Sequence, residues 1–144
     1  MQNKIMNTAP KIKLLPAAAL TLGLLAASAP AFAHHAFAAE YDVKKPITLT
    51  GVVTKLEWTN PHARFYLSVK EEDGSTTVWD FELASPNGLM RRGWNRSSLK
   101  PGDTITVTGY LAKDGSKLAT ARSVTLADGR KIFAGSSDDG SPSQ

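Results

Sequence analysis

The 144-residue chain contains three histidines, His34, His35 and His62, and no cysteine. Their positions make them the first candidates for chemistry. His34 and His35 follow Ala31-Phe32-Ala33, which has small residues at the two positions a signal peptidase reads. Cleavage after Ala33 would make His34 the amino terminus, where its α-amino nitrogen and its own Nδ1 can chelate one ion. His62 follows Asn60-Pro61 in a predicted loop between two strands. An amine with two or three imidazoles and no thiolate favours Cu(II), then Ni(II) or Zn(II). The expected metal ligands are His34, His35 and His62, with Asn60 nearby and copper as the favoured ion; no other cofactor is implied. The same residues also have a plainer reading. Mature termini fray, and a histidine after Asn-Pro can fix a turn through a hydrogen bond.

Aromatic residues form a second group: Trp58, Phe65, Tyr66, Trp79, Phe81 and Trp94. Phe65, Trp79 and Phe81 share strand parity with Leu67, Val69 and Leu83, which assigns them to a core. Tyr66 and Tyr110 lie on the opposite parity and are expected to face outward. Arg91, Arg92 and Arg96 cluster around a short predicted helix. They suit either an anionic partner or the negative end of the helix dipole. Tyr66, Arg91 and Arg92 are accordingly the candidate ligand-binding residues besides the histidines. Asp80 and Glu82 stand two apart on one strand face and are expected to be solvated. The sequence has no Gly-x-Ser-x-Gly, phosphate loop or His-Glu-x-x-His, and the expectation is that the protein is not an enzyme.

These side chains need elements to hold them. Residues 1–33 carry Lys4, Lys11 and Lys13, no acid, and an apolar run from Leu14 to Ala27. They are expected to be a secretory signal peptide. Its removal would leave 111 residues with 14 cations against 13 acids, a net charge of +1 in place of +4. Near-neutrality argues against sequence-independent nucleic-acid binding. No further stretch approaches the ~20 apolar residues of a membrane span, so none is expected after cleavage. A domain this size buries roughly 65% of its unfolded surface and can hold a core without disulfides.

From Ile47 onward apolar residues alternate with polar ones. The phase slips around Gly51, which predicts a bulge there. Four turn segments carry Gly, at Gly74, Gly102, Gly115 and Gly129, and punctuate the strands. Ser85-Pro86 is a helix start, a hydroxyl cap followed by Pro at the first helical position. Leu118, Thr120, Arg122, Val124 and Leu126 set the parity of a fifth strand. The expected organisation is an extended segment over 34–46, one domain over 47–134, and a disordered tail over 135–144. Its fold class is all-β with one short helix: a small five- to six-stranded Greek-key barrel of OB-fold type.

Three stretches together resemble a known family: His34-His35-Ala36-Phe37, Glu57-Trp58-Thr59-Asn60-Pro61-His62-Ala63, and Ser85-Pro86-Asn87-Gly88-Leu89-Met90-Arg91-Arg92-Gly93-Trp94. The likeness continues through Leu99-Lys100-Pro101-Gly102-Asp103 to Asp128-Gly129-Arg130. The family is an uncharacterised one of small exported bacterial proteins, a domain of unknown function. Its members have Ser where this chain has Ala36, and an aromatic or aliphatic residue near Arg64; neither departure removes a metal ligand. The resemblance implies an exported, periplasmic protein and brings no established reaction. Two functions remain open from the residues: a metal-binding domain, and a periplasmic interaction module that holds a protein, glycan or small ligand on the barrel face. A purely structural envelope protein is a third.

Overall fold

The computed structural model describes residues 37–135. The expected signal peptide, His34, His35 and the tail beyond Gly135 lie outside them. Within them the alternating sequence forms β1 (Tyr41–Glu57), β2 (Arg64–Lys70), β3 (Thr76–Glu82), α1 (Pro86–Arg91), β4 (Thr104–Ala112), β5 (Leu118–Thr125) and β6 (Lys131–Phe133). Residues 37–40 add a helical turn before β1.

β1 pairs antiparallel with β2 along its second half and with β4 along most of its length. β2 pairs with β3, and β4 with β5. A short parallel pairing then joins β3 to β5, matching Asp80 with Leu118, Phe81 with Ala119 and Glu82 with Thr120. The ring β1-β2-β3-β5-β4 is therefore closed, and α1 lies between β3 and β4 in sequence. This is the OB-fold, a five-stranded Greek-key barrel. β6 is a sixth strand added to the edge of β5. Among the described residues no helix is long and apolar enough to cross a membrane.

The interior follows the parity of β2 and β3. Phe65, Leu67 and Phe81 are fully buried and Trp79 nearly so. The Phe65 and Phe81 rings stack at 5.2 Å between centroids, and Trp79 tilts against Phe81 at 6.4 Å. Val53, Leu89, Leu99, Ile105, Val107 and Val124 complete the same cluster. The helix forms as its sequence dictates: the Ser85 hydroxyl accepts from the Gly88 amide at 3.2 Å, and Pro86 opens the first turn. It exits through Gly93, and the Trp94 indole then donates to the Phe133 carbonyl at 2.7 Å.

Three local features differ from the sequence expectation. β1 begins at Tyr41 and not at Ile47, because β4 supplies partners there: Tyr41 faces Ala112 and Pro46 faces Tyr110 across an irregular stretch. The bulge predicted at Gly51 lies at Thr54, the extra residue between Val53 and Lys55. Gly51 instead answers a close approach, since a Cβ there would stand 2.4 Å from the Ser68 carbonyl oxygen. In β5 the register slips at Arg122, so the small residues Ala119 and Ala121 point inward before Val124 takes over. The single parity expected from Leu118 through Val124 is therefore broken at Arg122.

Gly109 is the tightest point of the barrel. A Cβ at this position would lie 1.8 Å from the Thr120 carbonyl oxygen, a backbone atom held by the sheet. Gly109→Ala is expected to destabilise the protein by about 3 kcal/mol, read from the urea midpoint. An unchanged midpoint would show that β4 and β5 do not meet in this register.

Candidate functional site

Residues of β2 and β3 at the outward parity are polar, apart from Val78. Arg64 opposes Glu82 across the pair, and Tyr66 opposes Asp80. The Arg64 guanidinium donates through Nη1 to Asp80 Oδ2 at 2.6 Å and through Nη2 to Glu82 Oε2 at 2.8 Å. One planar cation therefore bridges two carboxylates two residues apart, a geometry for which guanidinium is well suited. The expectation that Asp80 and Glu82 form a solvated pair is corrected: the Glu82 side chain is 15% exposed, and Asp80 Oδ1 is buried without a hydrogen-bond partner. The sequence carried the signal in Arg64 itself, but only the pairing register places it between the acids. The two carboxylates raise the Arg64 pKa against the opposing effect of burial.

His62 is carried just beyond the start of β2. The ladder with β3 continues past the strand ends, through Leu83 N–H to the Ala63 carbonyl at 2.8 Å and Ala63 N–H to the Ala84 carbonyl at 3.2 Å. This fixes the backbone beside His62. Its Nδ1 lies 3.0 Å from the Leu83 carbonyl oxygen and 3.6 Å from Glu82 Oε1. A carbonyl only accepts, so Nδ1 carries a proton, and in the neutral ring Nε2 is then the nitrogen with the lone pair. The side chain is 40% exposed.

The sequence reading missed one buried aromatic residue of β1. Tyr41 is 2% exposed, and its hydroxyl is buried without a hydrogen-bond partner. Burial pushes its phenol well above the ordinary value of 10.0, Glu82 and Glu40 push it further, and Arg64 opposes them. Ala112 stands opposite Tyr41 in the sheet. Phe37 packs on the Tyr41 ring with centroids 5.4 Å apart. The Lys113 amide donates to the Glu40 carbonyl at 2.9 Å, and Lys113 Nζ donates to the Ala38 carbonyl. Residues 37–41 are in this way pinned to the turn after β4. Ala112 is buried but is not part of the barrel-core cluster. The i, i+4 spacing of Phe37 and Tyr41 is the signal that could have revealed Tyr41.

The remaining candidates are dispersed. His34 and His35 lie outside the described residues; among the described residues, no three or more His, Cys, Asp or Glu side chains stand close enough together to hold a metal ion. Tyr66 is half-buried, donates to Glu57 Oε2 at 3.3 Å and carries Lys55 Nζ at 5.7 Å from its ring centre. Arg91 is exposed in the last turn of α1. Arg92 caps that helix, donates to the Gly135 carbonyl and stacks on Phe133 at 5.7 Å. Tyr66 and Arg92 share no partner. Tyr110 accepts from Arg122 Nη1 at 2.9 Å. A separate cleft of about 330 Å³ is lined by Ser97, Lys100, Asp103, Leu126, Asp128 and Arg130, among others. Its charges balance, and Arg130 Nε is paired to Asp128 at 2.7 Å.

The model of a family of unknown function, DUF6152, matches residues 20–121. No curated protein matches the chain. Among solved structures, the mitochondrial single-stranded DNA binding protein Rim1 of S. cerevisiae aligns at 9% identity over 58% of this chain and 93% of that one, with a TM-score of 0.46. The N-terminal domain of PriB from Thermoanaerobacter tencongensis, described as dimeric, aligns at 19% identity over 58% of this chain and 97% of its own, with a TM-score of 0.41.

The Tyr41 environment has a measurable consequence. Above about pH 10 the unfolded phenol loses its proton while the folded one keeps it, so the unfolded state binds fewer protons and stability falls as pH rises. Tyr41→Phe is expected to change stability at pH 7 by less than about 1 kcal/mol, because the hydroxyl it removes has no partner. It is also expected to lose less stability than wild type between pH 7 and about pH 11. Urea midpoints at the two pH values check both, and equal alkaline losses would contradict a buried Tyr41 hydroxyl.

Proposed function

The chain belongs to DUF6152, a family of unknown function, and from its own residues we propose an exported, periplasmic, non-enzymatic binding domain for a divalent metal. Copper is the ion its donor set favours, with His34, His35 and His62 as ligands. The observation that carries this reading is the state of His62. A metal-binding imidazole needs one nitrogen free and gains from having the other held. The Nδ1–H bond to the Leu83 carbonyl does the holding, and the free Nε2 belongs to a side chain that is 40% exposed.

The amino-terminal half of the proposed site is supported by its anchor. Phe37 rests on Tyr41, and the Lys113 amide donates to the Glu40 carbonyl at 2.9 Å. His34 is three residues upstream of Phe37, a length that spans at most about 11 Å. Cleavage after Ala33 would add an α-amino donor to the imidazoles. Nitrogen donors without thiolate favour Cu(II) over the other common divalent ions.

A second reading, an interaction module on the barrel face, has its own support. Val52, Ser68 and Val78 stand in one row across β1, β2 and β3. Val52 is 41% and Val78 54% exposed, next to Tyr66 on the same parity.

Cu(II) titration of protein exported and processed by a bacterial host separates the two, with intact mass confirming His34 as the first residue. The metal reading expects tight one-to-one binding, weakened at least about tenfold by an added N-terminal Met and likewise by His62→Ala. Equal, weak binding by all three proteins would overturn it in favour of the interaction module.

A further inference from the structure

We propose that Glu82 is a positioning residue for the metal, orienting His62 and strengthening Nε2 as a donor, with Arg64 holding Glu82 in place. This rests on the metal reading of His62. Glu82 divides its two oxygens between two tasks. Oε2 accepts from Arg64 at 2.8 Å, and Oε1 lies 3.6 Å from His62 Nδ1, the nitrogen that also donates to the Leu83 carbonyl at 3.0 Å. The protonated edge of the imidazole is therefore set between a carbonyl and a carboxylate, and its rotation about χ2 would lose both.

When Nε2 gives its lone pair to a cation, positive charge spreads over the ring and appears at Nδ1–H. A carboxylate beside that N–H lowers the energy of the charged ring, and the gain is larger where water is scarce. The Glu82 side chain, at 15% exposure, meets that condition. Arg64 keeps Glu82 from collapsing onto the histidine, because its other arm is tied to Asp80 at 2.6 Å. The order Asp80, Arg64, Glu82, His62 forms one chain of contacts that ends at the free Nε2. Carboxylate partners of ligating histidines alter metal affinity by about 10–100-fold in proteins that use them.

The test is a cycle of Cu(II) titrations on the processed chain with E82Q, H62A and the double variant. The expected result is a loss of about 10–100-fold for E82Q when His62 is present, and a loss of less than about twofold when it is absent. Equal losses in both backgrounds would overturn the proposal, since Glu82 would then act on the fold at large. Unchanged binding by E82Q beside tight binding by wild type would overturn it too, leaving His62 a ligand without this partner. No binding by wild type would overturn the metal reading and this proposal together. If E82Q does not fold, the metal-free wild-type protein decides: imidazole ¹⁵N resonances should show His62 protonated at Nδ1 and unprotonated at Nε2. The opposite tautomer would overturn the proposal.

Discussion

The parallel pairing of β3 with β5 is the constraint on which the rest depends. It comprises three residue pairs, extended by the Asp80 amide donating to the Lys117 carbonyl at 2.9 Å. Without it the strands would form an open sheet with Phe65 and Phe81 on a single face. With it the sheet closes, and the alternating side chains are divided into an inside that is apolar and an outside that is not. Closure demands that strands approach closely where they bend. The chain answers with Gly51 and Gly109, whose missing Cβ atoms would otherwise meet the carbonyls of Ser68 and Thr120. It answers as well with extra residues at Thr54 and Arg122, since a bulge adds local twist.

Closure also creates the outer row in which β3 and β5 stand side by side. Glu82 is matched with Thr120 and, on its other flank, with Arg64. The carboxylates of Asp80 and Glu82 would repel each other on a bare strand. Arg64 removes that cost by donating to both. A buried ion cluster gives little net stability, because the attraction it gains must offset desolvation. Its effect is geometric: it holds Glu82 in one position beside His62. Residues 37–41 are tied to the barrel wall through Lys113. The segment immediately after His34 and His35 is consequently joined to the fold at Phe37 and Tyr41.

How much of this was legible depends on how far each feature reaches along the chain. The helix start at Ser85-Pro86, the turns at Gly74, Gly102, Gly115 and Gly129, and the inward parity of Phe65, Leu67, Trp79 and Phe81 involve residues a few positions apart. All of them are present in the structure. Tyr41 was not legible as a core residue because its neighbours Asp42, Lys44 and Lys45 break any alternation. The inward turn of Ala119 and Ala121 was not legible either. Small residues in a strand read as an outer face, whereas here a bulge at Arg122 and the close β4 backbone select them for the interior.

The same division holds for the candidate site. The sequence by itself determined the donor inventory: three histidines, no thiolate and nothing resembling a known catalytic motif. It also determined the strand order and turns that make an OB-fold, because hydrophobic alternation and turn chemistry are local properties of the backbone. Tertiary structure alone decided which nitrogen of His62 is held by a carbonyl, and that Arg64 stands between Asp80 and Glu82. Those contacts join residues 16 to 21 positions apart, and they exist only when strand register brings them within the ~3 Å that a hydrogen bond requires. Register is a property of paired strands, set by bulges and closure rather than by any one segment.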